Sequence, residues 1–209
     1  MWPSWDEKVF WAIHQGWHHR WLDPIMVFLT EPGPWKGPLF LLIGLLFLLR
    51  GRRGAVGLVV LMLTIAVSDQ VSAHVLKPLF RRPRPAVTLR NVMPLFGVRH
   101  SYSFPSVHAT NFFAAAPVTA AVFPEGTVFV YAYAAAVSIS RIYVGDHYPF
   151  DTMAGAALGL FIGLMGRKAF RRAAATLLPR VREEIPPEDA PTPAPARASP
   201  VGETPSAGR

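Results

Sequence analysis

Three short stretches of this 209-residue chain carry side chains able to hold and attack an anion: KPLFRRPRP (77–85), SFPSVHAT (103–110) and SRIYVGDHYPFD (140–151). Lys77, Arg84 and Arg141 supply fixed positive charge suited to an oxyanion, and an arginine fork can grip two of its oxygens at once. Ser106 follows Pro105 where a helix begins. It is a natural N-cap, and its hydroxyl joins the free N–H groups and positive dipole end of that helix in facing an anion. His108 lies two residues into the same helix, close enough to protonate a group that leaves the anion. Asp151 follows His147 by four residues, so its carboxylate can reach one imidazole nitrogen, fix the tautomer and sharpen the other as a nucleophile.

Each stretch alone also has a plainer reading. Ser106 can be a simple cap, and His108 a satisfied polar residue. Arg141, His147 and Asp151 can form a structural ion cluster. Arg81 and Arg82 read as snorkelling contacts with lipid headgroups, and Asp146 as loop solvation. The force of the pattern lies in convergence, and that depends on the elements that carry the three stretches.

Those elements read as membrane helices. Hydrophobic residues make up 51% of the chain and charged residues 16%, against about 25% charge in a soluble domain. Apolar runs fall at 38–49, 54–76, 108–123, 127–139 and 149–165, and crossing a bilayer takes roughly 20 residues. The expected architecture is all-α: a polytopic integral membrane bundle of five spans, or six if the short segment 21–33 inserts. Residues 1–21 form an interfacial amphipathic helix, with Trp5, Val9, Ile13, Trp17 and Trp21 on its apolar line and His14, His18 and His19 on its polar face. Residues 22–180 are the membrane-embedded domain, and the Pro/Ala-rich stretch 183–209 is expected to be disordered. With five spans, all three chemical stretches reach the same membrane face.

The net charge of +8 fits an anionic membrane surface or a phosphorylated substrate. Nucleic acid is set aside, because the basic residues bracket apolar helices. No cysteine is present, which excludes disulfides and thiolate metal sites. The start MWPSWDEK lacks a basic region leading into an apolar core, so no cleavable leader is expected. Short-loop Lys and Arg are nearly balanced between the two faces, and charge alone does not orient the chain.

Lys77 with Arg84-Pro85, Pro105-Ser106-Val107-His108, and Ser140-Arg141 with His147 and Asp151 together resemble the three-part signature of the type 2 phosphatidic acid phosphatase superfamily, in order and in spacing. The likeness covers roughly residues 20–170. Within the superfamily, LDPIMVFLTEPG (22–33) resembles bacterial undecaprenyl-diphosphate phosphatases.

The resemblance implies that Lys77, Arg84, Ser106, Val107 and Arg141 hold the phosphoryl oxygens. It further implies that His147 becomes a phosphohistidine, that Asp151 orients it, and that His108 protonates the leaving group and then activates water. Neither a metal nor another cofactor is implied, since fixed cations and amides stabilise the charge. Val107 stands where the family often has Gly; it serves through its backbone N–H and narrows the pocket. The implied substrate is a lipid phosphate or diphosphate drawn from the bilayer, undecaprenyl diphosphate by preference, with the site on the outer face of the cytoplasmic membrane. The alternatives are a phosphatidate or phosphatidylglycerophosphate phosphatase and, from another class, an anion transporter or channel. A soluble vanadate-dependent haloperoxidase has a similar anion pocket, but the spanning helices argue against it. A channel requires the polar residues to continue through the membrane, whereas the third to fifth spans are apolar beyond their first turns.

Overall fold

The computed structural model describes residues 2–177, and all regular structure among them is helical. The tail expected at 183–209 lies outside the described residues. The helices are α1 (Ser4–His14), α2 (Asp23–Thr30), α3 (Lys36–Leu48), α4 (Gly51–Gln70), α5 (Lys77–Phe80), α6 (Pro85–Thr88), α7 (Val107–Val122), α8 (Thr127–Tyr143) and α9 (Pro149–Leu177). A π-helical turn, Val71–Leu76, joins α4 to α5, and within it the Lys77 N–H reaches back to the Ser72 carbonyl.

The outward faces are those of a protein dissolved in hydrocarbon. α3 buries Phe47 alone and exposes Phe40, Leu41, Leu42, Leu45 and Leu46. Val128 and Phe129 of α8 are likewise exposed, as are Phe161 and Leu164 of α9. Such continuous apolar surface is not stable against water over this extent. Two helical stretches, Gly51–Thr88 and Pro149–Leu177, are long and apolar enough to cross a membrane, and α7 is a shorter apolar helix between them.

The inner packing rests on small residues. Gly155, Gly159 and Gly163 recur every four residues along α9 and face α7. A Cβ on Gly155 would stand 2.6 Å from the Ser106 carbonyl oxygen, and one on Gly163 would stand 2.5 Å from that of Ala114. At Gly159 it would collide with the Thr110 carbonyl. The two backbones therefore touch, as small-residue ladders allow in membrane bundles. Gly57 lets α4 close on Val122 in the same manner. Buried hydroxyls tie the layers together: Ser72 Oγ donates to Thr110 Oγ1 at 2.9 Å, and Thr110 Oγ1 donates to the Ser106 carbonyl at 2.9 Å. Asp69 accepts from Asn111 Nδ2 at 3.1 Å, an interhelical bond that accounts for a carboxylate within α4.

At the end remote from Ser106, Phe47, Leu61, Val118, Val122 and Phe170 form an apolar core. Arg50 and Arg53 lie at that same end, beside Phe123 and Phe170.

α1 corrects one expectation. His14, read as part of the polar face, is buried, and so is Asp6. His14 Nδ1 lies 2.8 Å from the Tyr143 carbonyl, and Asp6 accepts from the Phe150 N–H at 2.7 Å. Trp5 and Val9 are exposed instead. The polar groups turn inward because each finds a buried partner there, which offsets the cost of leaving water.

Candidate functional site

The three stretches meet at one end of the bundle, pinned pairwise by backbone. The Ser103 N–H donates to the Arg82 carbonyl at 2.7 Å, which joins the first stretch to the second. The Ser106 N–H donates to the Asp151 carbonyl at 3.0 Å, which joins the second to the third. Arg84 closes the triangle: its Nη1 donates to the Asp146 carbonyl at 3.0 Å and lies 3.3 Å from His147 Nε2. The Gly155 contact sets the height of α7 against α9 at this level.

Each expected residue has a definite place. Ser106 is the N-cap of α7, with Ala109 N–H directed at its hydroxyl at 3.5 Å. Val107 and His108 are the first two residues of that helix, both half-buried. Lys77 Nζ donates to the Tyr102 carbonyl. Arg84 also binds Ser101, through Nε to its carbonyl at 2.9 Å and through Nη2 to its hydroxyl at 3.0 Å. Arg141 is 1% exposed and bonds Thr30 and Asp146. His147 sits in the loop between α8 and α9, and Pro149 opens α9 as its first residue.

The His147–Asp151 pair is looser than the spacing suggests. Nδ1 of His147 lies 3.6 Å from Asp151 Oδ2, an ion-pair distance longer than a hydrogen bond, and Nδ1 has no hydrogen-bond partner among the described residues. Asp151 spends its oxygens elsewhere: Oδ1 accepts from Arg82 Nη1 at 2.7 Å and Oδ2 from the Tyr148 N–H at 3.0 Å. His147 is buried among cations. Burial lowers its pKa well below the usual imidazole value, and the charges of Arg84, Arg141 and Lys77 lower it further. A neutral ring results, the form a nitrogen nucleophile requires, with its Nε2 facing the Arg84 guanidinium.

Three side chains at the site differ from their sequence reading or escape it. Arg82, read as a headgroup contact, is 5% exposed and bridges Asp151 and Asp6. Asp146, read as loop solvation, is 2% exposed beside Arg84, Arg99 and Arg141. Thr30 meets Arg141 across 111 positions of chain. All three lie in stretches the sequence singles out, but nothing there pairs Arg82 with Asp6, Asp146 with Arg99 or Thr30 with Arg141. Among the described residues no group of His, Asp and Glu has the arrangement of a metal centre.

Comparison with known proteins gives a consistent picture. The model of the PAP2 superfamily matches residues 56–174, a range that contains all three stretches. Over 164 residues the chain is 29% identical to the lipid A 4'-phosphatase of Porphyromonas gingivalis, covering 75% of this chain and 70% of that one. It is 34% identical over 145 residues to the bacitracin transport permease protein BcrC of Bacillus licheniformis, with 68% and 69% covered. The crystal structure of LpxE from Aquifex aeolicus superposes with a TM-score of 0.62 at 27% identity, over 79% of this chain and 96% of that one. A transmembrane PAP2-type phosphatidylglycerolphosphate phosphatase from Bacillus subtilis shares the fold, with a TM-score of 0.60 at 24% identity over 86% and 90%.

Proposed function

The chain belongs to the PAP2 superfamily, and from that premise we propose that this membrane lipid phosphatase hydrolyses undecaprenyl diphosphate to undecaprenyl phosphate and inorganic phosphate. The observation that carries the choice of substrate is the bond from Arg141 to Thr30. It brings the 22–33 stretch, the one that resembles undecaprenyl-diphosphate phosphatases, to the phosphate cradle.

His147 Nε2 attacks the terminal phosphorus while Asp151, 3.6 Å from Nδ1, closes on the opposite side of the ring. The bond from phosphorus to the bridging oxygen breaks as His108 gives that oxygen its proton. Lys77, Arg84, Arg141, the Ser106 hydroxyl and the N–H groups opening α7 carry the charge that develops on the phosphoryl oxygens. His108, now unprotonated, takes a proton from water. The water oxygen bonds to phosphorus, the P–N bond breaks, and His147 returns neutral.

Five spans, α3, α4 with its extension, α7, α8 and α9, form the embedded domain at 22–180, with residues 1–21 at the interface. The basic ends at Arg50 and Arg53 lie opposite the site, which supports an outward-facing site in the cytoplasmic membrane. The apolar core at that end supports an enzyme over an anion channel. The likeness to a lipid A 4'-phosphatase favours a second reading, a lipid phosphomonoesterase.

One assay tests both readings. Purified protein in detergent, with a chelator present, receives undecaprenyl diphosphate, phosphatidate, phosphatidylglycerol phosphate and lipid A in parallel. Phosphate release fastest from undecaprenyl diphosphate is expected. Faster release from a monoester replaces the first reading with the second, and full activity in His147→Ala defeats the mechanism.

A further inference from the structure

Asp146 is a buried charge that the reaction as written does not use. Three guanidinium groups ring its carboxylate. Arg141 Nη2 donates to Oδ2, Arg84 Nη1 lies 3.5 Å from Oδ1, and Arg99 Nε lies 3.7 Å from Oδ2. Two of these arginines belong to the phosphate cradle. The third, Arg99, comes from the connection between α6 and α7 and is partly exposed.

The donors of Arg141 show what Asp146 occupies. Nη1 is taken by Thr30 and Nη2 by Asp146, whereas Nε is buried with no partner among the described residues. Nε and Nη2 form one edge of the guanidinium, the edge that grips two oxygens of a single anion. A tetrahedral oxyanion seated on that edge finds half of it already filled by a carboxylate.

We propose that Asp146 is an internal anion seated in the oxyanion cradle, displaced by the substrate phosphate and returning to the arginines as inorganic phosphate leaves. The inference rests on the reading of Lys77, Arg84 and Arg141 as that cradle. Empty, the cradle holds cations that repel one another away from water, and a single carboxylate relieves part of that cost. A phosphate carries more charge and more acceptor oxygens, so it wins the arginines on arrival. A carboxylate tethered one bond from the catalytic histidine then stays close and weakens the hold on the product. Asp146 thus limits product affinity, and Arg99 shares in both partnerships.

The rival role is a strut that merely fixes Arg141, and it predicts the opposite sign. Removing a competitor tightens phosphate binding, whereas removing a strut loosens it. The test titrates inorganic phosphate into the full-length protein in detergent by calorimetry, for wild type and Asp146→Asn. The pair is repeated in an Arg99→Gln background, where one guanidinium fewer is left without its carboxylate. The expected result is a phosphate Kd lowered by about fivefold or more in each background, with product inhibition of lipid hydrolysis strengthened in parallel. Unchanged or weaker phosphate binding overturns the proposal, as does loss of folding in both backgrounds. Wild-type hydrolysis is scored separately: a protein inactive on every lipid yet tightened by Asp146→Asn defeats the functional reading and leaves this one standing.

Discussion

Arg82 and Asp151 form a buried ion pair, Nη1 to Oδ1 at 2.7 Å, and this pair rather than His147 holds the carboxylate of the third stretch. The other end of the same guanidinium reaches Asp6 at 2.6 Å, and the rings of Trp2 and Tyr148 lie 4.3 and 4.0 Å from it. The N-terminal helix is thereby wired to the carboxylate beside His147. Asp151 is fixed by these bonds, with His147 one short adjustment away; such bonds often tighten only when substrate is present.

Replacing Arg82 by Met keeps volume but strands two buried carboxylates. A loss of about 3–5 kcal/mol is expected, since breaking a buried pair leaves uncompensated charge. Denaturation in detergent measures it. The double variant Arg82→Met/Asp6→Asn should recover part of that loss, because only Asp151 is then unpaired.

His147→Ala should lower turnover by roughly 10⁴-fold or more, in line with removal of a catalytic nucleophile elsewhere. Phosphate binding by calorimetry should survive, because the cations remain. In the wild type, acid-labile and base-stable phosphoryl label on the protein after quenching identifies the phosphohistidine. Label retained in His147→Ala would move the nucleophile elsewhere.

The lowered pKa of His147 has a stability consequence of definite sign. Below the ordinary imidazole value of about 6.5 the unfolded chain binds a proton at this ring while the folded protein does not. Stability therefore falls as pH drops from that value toward the folded pKa, by up to about 1.4 kcal/mol per pH unit for a single group. His147→Gln removes this contribution. Its Tm should decline less steeply than that of the wild type between pH 6.5 and 5, and parallel slopes would contradict the assignment.

Gly155→Ala should cost about 1–3 kcal/mol by overpacking, because the new methyl stands 2.6 Å from the Ser106 carbonyl. Activity should fall further than stability suggests. The displaced group caps α7, and a shift near 1 Å at a reacting geometry can cost about 10²-fold. Phosphate release at a temperature well below the variant's Tm separates the two effects. Gly126→Ala, where the nearest neighbour is 3.9 Å away, is the control.

What the sequence discloses and what it hides follow a physical line. Ser106 capping α7, Pro149 opening α9 and the spacing of His147 to Asp151 are local, so residue types and separations display them. Arg82 is not local. RRPR reads alike whether solvated or buried, and its partner Asp6 lies 76 positions away. The turn at Arg81, with φ at 48°, helps set where the next side chain goes, and no residue nearby announces it. Asp146 hides for the same reason: its identity is plain, but the arginine from the α6–α7 connection that faces it is not. The glycine ladder is the reverse case. Gly155, Gly159 and Gly163 stand in plain view in MAGAALGLFIG, where repeated small residues encode a backbone contact that hydrophobicity alone overlooks.

The π-helical turn before Lys77 carries a further meaning. Each of its rings closes one residue later than an α ring, and one residue is worth roughly 100° of rotation about a helix axis. Between Val71 and Leu76 the chain thus acts as a phase shifter, aiming the ammonium by residue count more than by residue identity. Apart from Ser72, whose hydroxyl bonds Thr110, its spelling has latitude that its length lacks: one deletion there would swing Lys77 away from the Tyr102 carbonyl and leave every hydrophobic residue of α4 in place.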